Sequence, residues 1–252
     1  MISIKKPHQI ALMREACKLT YLTLKAVEPY IQPGVTTAEL DDVAREFILS
    51  HGAKPSFLHL YGFPASMCIS IDDEVVHGIP SRKRVLEEGQ IISLDVGAQL
   101  NGYHGDCART YPVGKIDREK ERLIRVTEES FWQGVSVIRP GVNLREVSRA
   151  IQNHVEARGF SVVRDLTGHG IGKKVHEDPS IPNYDNGVGV ILAEGMTLAI
   201  EPMVAAGDYA LNMQGWHITT RDHLPSAHYE NTILVTRDGY EVLTASEVTD
   251  AG

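Results

Sequence analysis

An internal repeat constrains the fold of this chain more strongly than any other feature of its sequence. Residues 31–52 and 138–159 are identical at six of 22 positions when they are aligned at an offset of 107. Further along, residues 85–95 and 191–201 are identical at three of 11 positions when they are aligned at an offset of 106. Self-similarity of this kind indicates one structural plan used more than once. The repeat therefore predicts that the two halves of the chain fold alike.

Each copy of the repeat carries the signals of a turn followed by a helix. A Pro-Gly pair is typical of a turn, and Thr36 or Asn143 follows it at a short distance. Both are favourable N-caps, and a glutamate three residues later gives each the spacing of a capping box. We expect the helices to end at Gly52 and Gly159 in left-handed caps. Asp117 is a further candidate N-cap, at the start of the second half.

A leading helix precedes each of these turns, and strand-like runs follow each repeated helix. Apolar residues recur at helical spacing from Ile10 to Val27, for example. Helices followed by strands predict an α+β fold. We expect one domain over residues 1–252, with two pseudo-symmetric halves at about 5–114 and 115–245 and helices packed on a curved, mostly antiparallel sheet.

Four acids stand at equivalent places beside strand-like runs in the two halves. One apolar run ends in Asp95 in the first half and in Glu201 in the second. Another run opens with Asp106 in the first half and with Glu230 in the second. These could be unrelated, solvated acids at strand ends, but a buried carboxylate is costly unless it is paired or binds a metal. We therefore expect all four to meet in a concavity between the halves.

His169 completes a candidate metal site. A lone histidine is more often structural, but here glycines on both sides let the backbone approach a crowded centre closely. Four carboxylates in one cavity would repel one another, and two divalent cations would neutralise them. Mostly oxygen donors with one imidazole favour Mn, Fe or Co, with Zn as an alternative.

Composition argues against several other classes of protein. The formal net charge is −8 and no basic stripe of a nucleic-acid binder is evident. Three widely spaced cysteines without a CxxC pair indicate a reducing compartment. The sequence shows no signal-peptide core and no stretch near the roughly 18 apolar residues of a membrane span. We expect a cytoplasmic protein with no direct nucleic-acid or membrane partner.

The order of motifs along the chain resembles that of the type I methionine aminopeptidases, which have the pita-bread fold. The resemblance covers about residues 5–245 and rests on six motifs together, which makes it highly specific. The motifs are HGIPS at 77–81, DVGAQLNGYHGD at 95–106, TGHGIG at 167–172, HEDP at 176–179, AIEP at 199–202 and HYENT at 228–232.

The resemblance implies a ligand set for two divalent ions, with Co, Mn, Fe or Zn as candidates. In the family's pattern Asp106 and Glu230 bridge the ions, Asp95 holds one of them, and His169 and Glu201 belong with the other. The pair of ions would lower the pKa of a shared water and hold a hydroxide between them.

The resemblance also implies catalytic roles for three residues. His77 would meet the scissile amide nitrogen or adjacent backbone, and His176 would polarise the scissile carbonyl. Glu201 would carry a proton from water to the leaving amine. Without the resemblance, both histidines would be interpreted as structural.

An apolar pocket for the methionine side chain is implied as well. The matching positions are Phe63, Cys68 and Trp216. The sequence departs from the better-known bacterial pattern nearby, where other members often have Cys, Tyr and Phe in place of Phe57, Leu60 and Val175. These residues are still apolar, so we expect a pocket with a different detailed shape.

The implied activity is hydrolysis of the N-terminal initiator methionine from nascent proteins whose second residue is small. The expected partners of this monomeric enzyme are nascent N-termini and peptides, and the sequence leaves a transient association with the ribosome open. An Xaa-Pro peptidase usually has an extra N-terminal domain, for which the chain has no room. A type II enzyme has an insertion, which the separation of His169 and Glu201 by only 32 positions excludes. A non-catalytic relative should have lost a ligand, and all five are present.

Overall fold

Two helices followed by a run of strands form a series that occurs twice along the chain. The computed structural model describes residues 2–245. Its α-helices are α1 (Pro7–Val27), α2 (Thr37–Ser50), α3 (Arg118–Val135) and α4 (Leu144–Glu156), and single 3₁₀ turns span Glu28–Tyr30 and Leu60–Gly62. Its strands are β1 (Lys54–Pro55), β2 (Met67–Ile71), β3 (Glu74–Val76), β4 (Ile91–Leu100), β5 (Tyr103–Pro112), β6 (Ser161–Val162), β7 (Thr167–Gly170), β8 (Glu177–Pro182), β9 (Thr197–Ile200), β10 (Met203–Ala205), β11 (Leu211–Gln214), β12 (His217–Thr220), β13 (Ser226–His228), β14 (Glu230–Val235) and β15 (Tyr240–Val242). Two helices followed by strands in each series confirm the predicted α+β class.

The largest sheet within residues 2–245 has nine strands, and its pairings are antiparallel. Its order is β1-β4-β5-β14-β9-β7-β8, with β2 beside β4 and β15 beside β14. Smaller sheets have the orders β13-β10-β6 and β11-β12-β3. Because β5 pairs with β14, one sheet runs from the first series of elements into the second.

The two copies of the repeat make the same backbone contacts. Gly34 donates its N–H to the carbonyl of Leu86 at 2.8 Å, and Gly141 donates to Leu192 at 2.9 Å. The two glycines have φ values of 92° and 88°, which glycine adopts with little strain. The turn before α2 and the turn before α4 are therefore held in place by equivalent segments ahead of β4 and β9.

Most predicted helix ends are confirmed. Thr36 forms a capping box with Glu39: its hydroxyl accepts the Glu39 N–H at 3.3 Å, and the Glu39 carboxylate accepts the Thr36 N–H at 2.8 Å. Asp117 accepts two backbone N–H groups at 2.9 Å. Gly52 and Gly159 follow α2 and α4 with φ values of 71° and 78°.

The capping box predicted for Asn143 and Glu146 does not form. Asn143 is the N-cap of α4, but it accepts from the N–H of Arg145, the second helical residue. Glu146 turns the other way and accepts from the guanidinium of Arg149 at 3.0 Å. An ion pair one turn along the helix thus takes the glutamate that was expected to reach back to the cap.

Each helix pair buries an apolar face against strands of its own half. Leu40 and Ile48 of α2 pack in one cluster with Leu94 and Val96 of β4. Val147, Ile151 and Val155 of α4 lie in a second cluster with Phe131 of α3 and Leu198 and Ile200 of β9. Burial of each such side chain contributes about 1.5–3 kcal/mol. Because side chains alternate along a strand, the residue between Leu94 and Val96 points to the opposite face of the sheet.

That residue is Asp95, and its position corrects the expectation that the acids of the first half stand at strand ends. Asp95 and Asp106 lie inside β4 and β5, because β4 continues to residue 100 and β5 begins at residue 103. The turn uses Asn101 and Gly102, with φ values of 52° and 80°, which suits a tight hairpin. In the second half the expectation is confirmed, since Glu201 directly follows β9 and residue 230 opens β14.

Candidate metal centre

Strand register brings the four predicted acids to one face of the sheet. Ala108 of β5 lies opposite Asp95 of β4 on one side and opposite Glu230 of β14 on the other. Asp106 is two residues from Ala108 on the same strand, so it shares that face. The pairing of β9 with β14 sets Glu201, the residue after β9, beside Glu230. The small side chain of Ala108 leaves the space between the acids open.

His169 of β7 joins the acids through one ring nitrogen. Its Nε2 lies 3.5 Å from Glu201 Oε1 and 3.7 Å from Asp106 Oδ2. Its Nδ1 donates to the carbonyl of Gly170 at 2.9 Å, which leaves the Nε2 lone pair facing the carboxylates. Burial, reinforced by the nearby His176, lowers the pKa of His169 to about 4. The imidazole is therefore neutral at pH 7, the form that binds metal ions.

Burial makes the cluster of acids unfavourable by itself. It raises the pKa of Asp95 to about 7. Burial, followed by repulsion from neighbouring carboxylates, raises the pKa values of Asp106, Glu201 and Glu230 well above their ordinary range. A divalent cation among these groups would lower their pKa values and stabilise the ionised carboxylates.

Unpartnered oxygens show that the residues fit such a cation. Asp95 Oδ1, Asp106 Oδ1 and Glu230 Oε1 are buried, and no hydrogen-bond donor among residues 2–245 reaches them. A buried polar atom left in this way costs about 1–3 kcal/mol. Metal coordination is an ordinary solution for buried carboxylates. Carboxylates with a neutral imidazole form a donor set suited to Mn, Fe, Co or Zn.

The acids lie against a largely apolar cavity of about 250 Å³. Phe63, Cys68 and Trp216, the residues predicted for the side-chain pocket, all line it. The rings of Phe63 and Trp216 meet edge to face with centroids 5.2 Å apart. The three residues that depart from the family pattern belong to the same apolar cluster: Phe57, Leu60 and Val175.

The two predicted catalytic histidines line this cavity at different places. His176 is exposed, and its ring lies edge-on to that of His169, with centroids 4.4 Å apart. His77 is half-buried beside Trp216, at a centroid distance of 5.6 Å. The backbone of His77 has a φ of 61°, an uncommon conformation for a residue with a side chain and one that recurs at functional sites.

Sequence reasoning missed two residues at this site. His228 lies with Glu201 and Glu230 in a group whose candidate ligand atoms are within 4.8 Å of one another. A signal for it existed, since it is two residues before Glu230 and extended chain places such residues on one face. Tyr61 stacks on His176 with centroids 5.7 Å apart. No pattern indicated Tyr61, whose φ of 50° belongs to an irregular turn.

Two residues fasten β5 to β14 beneath the acids. Thr232 accepts the backbone N–H of Asp106 at 3.1 Å and donates its hydroxyl to the carbonyl of Asp106 at 2.9 Å. Arg109 donates to the carbonyls of Ala108 and Glu230 and to the side chain of Asn231. These contacts fix the backbone from which Asp106 and Glu230 project.

The sequence matches the model of metallopeptidase family M24 over residues 11–237. This chain belongs to metallopeptidase family M24. It is 51% identical over 247 residues to a methionine aminopeptidase of Clostridium perfringens, a match that covers 97% of this chain and 99% of the relative.

Solved structures agree with this membership. The M24 chain superposes on the crystal structure of methionine aminopeptidase from Rickettsia prowazekii with a TM-score of 0.95 and 44% identity, covering 97% of this chain and 100% of that one. The prolidase of Pyrococcus furiosus gives a TM-score of 0.81 and 25% identity, covering 97% of this chain and 66% of that one. The predicted α+β pita-bread fold is confirmed. None of the helices in residues 2–245 is long and apolar enough to cross a membrane.

Proposed function

We propose that this chain is a metal-dependent methionine aminopeptidase that removes the initiator methionine from nascent proteins whose second residue is small. The observation that carries the proposal is the convergence of four carboxylates and one imidazole at the side of an apolar cavity. The identity of 51% to a methionine aminopeptidase over nearly the full length supports the substrate.

The proposed ligands of two divalent cations are Asp95, Asp106, His169, Glu201 and Glu230. Asp106 and Glu230 would help to hold both cations, since they occupy adjacent strands at the centre of the cluster. Asp95 lies on the β4 side of that pair, and His169 and Glu201 lie on the β9 side. Mn, Fe, Co and Zn each accept such donors.

Bound cations would supply a Lewis acid for the scissile carbonyl and a water of lowered pKa. In this proposal His176 donates an N–H to the carbonyl oxygen as negative charge develops there. His77 binds the amide nitrogen or adjacent backbone of the substrate, and burial, which lowers its pKa to about 4, keeps it neutral. Glu201, whose pKa is raised by burial, carries a proton toward the leaving amine.

Selectivity for methionine is proposed to come from the apolar wall of the cavity. A thioether is flexible and makes favourable contacts with the edges of aromatic rings. Phe63 and Trp216 present two such rings at an angle of 79°. Cys68 lies directly opposite Asp95 in the pairing of β2 with β4, so the pocket and the metal centre share a border.

The proposal includes the setting in which the enzyme acts. One catalytic domain over residues 1–252, with halves at about 5–114 and 115–245, would work as a monomer in the cytoplasm. Its substrates are the N-termini of nascent polypeptides and short peptides. The net charge of −8 gives no support for direct contact with RNA. A transient association with the ribosome would therefore depend on contacts with ribosomal proteins.

A prolidase activity is the competing assignment within the same fold. The experiment is cleavage of Met-Gly, Met-Ala, Met-Leu and Ala-Pro peptides by the purified chain with added Co²⁺, Mn²⁺ or Fe²⁺. We expect Met-Gly and Met-Ala to be cleaved well and Met-Leu poorly, because a bulky second residue would clash near the metals. Preferred cleavage of Ala-Pro would contradict the proposal.

Asp106→Asn tests the metal centre directly. The variant should keep the far-ultraviolet circular dichroism spectrum of the parent protein. It should lose at least one bound cation by metal analysis, and kcat/KM should fall by about a hundredfold or more because one bridging carboxylate is gone. Full activity in this variant would remove Asp106 from the ligand set.

A further inference from the structure

His228 is a buried imidazole for which the five predicted ligands leave no role. It ends β13, is 1% exposed, and neither ring nitrogen has a hydrogen-bond partner among residues 2–245. A buried polar ring of this kind is costly unless something binds it.

The backbone of His228 is held firmly, so the ring position is set by the fold. Its N–H donates to Thr110 Oγ1 at 2.8 Å, and the same hydroxyl donates to the carbonyl of His228 at 2.9 Å. On its other side, His228 pairs with Met203 of β10. The imidazole is therefore presented from a rigid strand, as a preorganised ligand should be.

The distances around His228 Nε2 fit a shared cation better than hydrogen bonds. Nε2 lies 3.7 Å from Glu201 Oε2 and 3.8 Å from Glu230 Oε2. Hydrogen bonds from a ring nitrogen to oxygen span about 2.7–3.2 Å. Ligand atoms around a cation with bonds of about 2.1 Å are separated by roughly 3.0–3.4 Å. Small movements of the three side chains would therefore bring their ligand atoms to the separation that a shared cation requires.

The predicted ligand His169 provides an internal standard for this spacing. Its Nε2 lies 3.5 Å from Glu201 Oε1 and 3.7 Å from Asp106 Oδ2. The carboxylate of Glu201 thus has one imidazole nitrogen facing each oxygen at nearly equal distance. His228 therefore faces Glu201 at nearly the distance at which the predicted ligand His169 does, although only His169 has its Nδ1 fixed by a carbonyl.

We propose that His228 Nε2 is a direct metal ligand, binding a divalent cation together with Glu201 Oε2 and Glu230 Oε2. This inference rests on the proposed metal centre and adds a sixth protein ligand to it. A second imidazole makes the centre richer in nitrogen than the motifs alone predicted, which strengthens binding of Co²⁺, Fe²⁺ or Zn²⁺ more than binding of Mn²⁺.

The test counts the coordinated imidazoles in the full-length protein loaded with Co²⁺. Each imidazole bound through Nε2 to this paramagnetic ion gives an exchangeable Nδ1–H proton signal that is strongly shifted in the NMR spectrum. We expect two such signals from the wild-type protein, one lost in His169→Gln and the other in His228→Gln. A single signal from the wild-type protein, removed by His169→Gln, would overturn the proposal even if the variant of His228 did not fold.

Affinity for Co²⁺ separates ligation from a positioning role. Glutamine at 228 can still donate a hydrogen bond to Glu201 but lacks an imidazole nitrogen. We expect the dissociation constant of one Co²⁺ ion to rise at least tenfold in His228→Gln, the scale on which metal sites respond to loss of a supporting residue. A smaller rise means that glutamine replaces the histidine and refutes ligation. His217→Gln is the matched control, because His217 is a surface residue of β12 with a side chain 65% exposed.

Asp106→Asn separates failure of this inference from failure of the proposed function. If Co²⁺ binds to that variant as it does to the wild-type protein, the metal centre itself is wrong. If Asp106→Asn loses Co²⁺ while His228→Gln binds it normally, the centre stands and only the role of His228 is rejected.

Discussion

Replacing Asp95 by asparagine should stabilise the metal-free protein and destabilise the metal-loaded one. Asp95 is half-buried within β4 beside Asp106, and removal of its carboxylate from solvent raises its pKa to about 7. Asparagine has nearly the same shape and carries no charge, so it removes the cost of ionising a buried carboxylate. In the proposed metal centre that same charge would bind Co²⁺, so its loss should have the opposite sign when Co²⁺ is present.

The size of the effect follows from the two pKa values of Asp95. The carboxyl has an ordinary pKa of 3.8 and a pKa of about 7 in the folded protein. Because the folded-state pKa is raised, the folded state is favoured at pH values below 3.8 and loses stability as the pH rises toward 7. The loss is on the order of 4 kcal/mol at pH 8 and about 2 kcal/mol at pH 5.5. The advantage of Asp95→Asn should therefore grow by about 2 kcal/mol between these pH values.

Urea unfolding of chelator-treated wild-type and variant protein at both pH values measures this difference. Comparing the two proteins at each pH cancels the titration of shared groups far from Asp95. Removing the Asp95 charge also lowers the raised pKa values of Asp106, Glu201 and Glu230, which changes the stability difference in the same direction. Repeating the unfolding with saturating Co²⁺ should make Asp95→Asn the less stable protein. A stability difference that is the same at pH 5.5 and pH 8, or the same with and without Co²⁺, would refute the reasoning.

Two other substitutions test how the site is supported. Ala108→Val should weaken Co²⁺ binding about tenfold or more in a calorimetric titration, because the added methyl groups enter the space between Asp95 and Glu230. The circular dichroism spectrum should not change. Unchanged affinity for Co²⁺ would show that metal binding does not need this space. Arg109→Met should lower the free energy of unfolding in urea by about 2 kcal/mol, because it removes the guanidinium donor from the carbonyl of Glu230 and leaves Asn231 Oδ1 with the Thr244 hydroxyl as its remaining donor. A loss below about 0.5 kcal/mol, the scale of ordinary surface substitutions, would contradict that account.

Much of the fold could be predicted because both copies of the repeat contain the same local turn and helix-cap signals. Glycine at positions 34 and 141 has a positive φ in both copies, and Thr36 caps its helix as its spacing with Glu39 predicts. Such signals act over three or four residues, and tertiary packing has little opportunity to override them. The exception, Glu146, had a competing partner within one helical turn in Arg149.

The candidate site was harder to predict because it depends on register between distant strands. The strand containing Asp95 was expected to end there, yet β4 continues to Leu100 and turns at Asn101. Only the pairing of β4, β5 and β14 shows that Ala108 lies between two acids. The spacing of His228 from Glu230 placed it near the acids, but its approach to Glu201 depends on distant pairing, because it crosses from β13 to the end of β9.

The apolar pocket and the imidazole of the site come from positions at which the two halves differ. Strand β2 pairs with β4 as β7 pairs with β9, and the register puts Cys68 opposite Asp95 in the first half. Ser70 of β2 lies opposite Ser93, and in the second half His169 of β7 holds the corresponding position, opposite Ala199. Strand β2 therefore contributes Cys68 to the apolar wall of the cavity, and β7 contributes an imidazole. In the proposed enzyme this asymmetry orients the substrate, because its side chain must lie against β2 while its carbonyl faces the histidines of the second half.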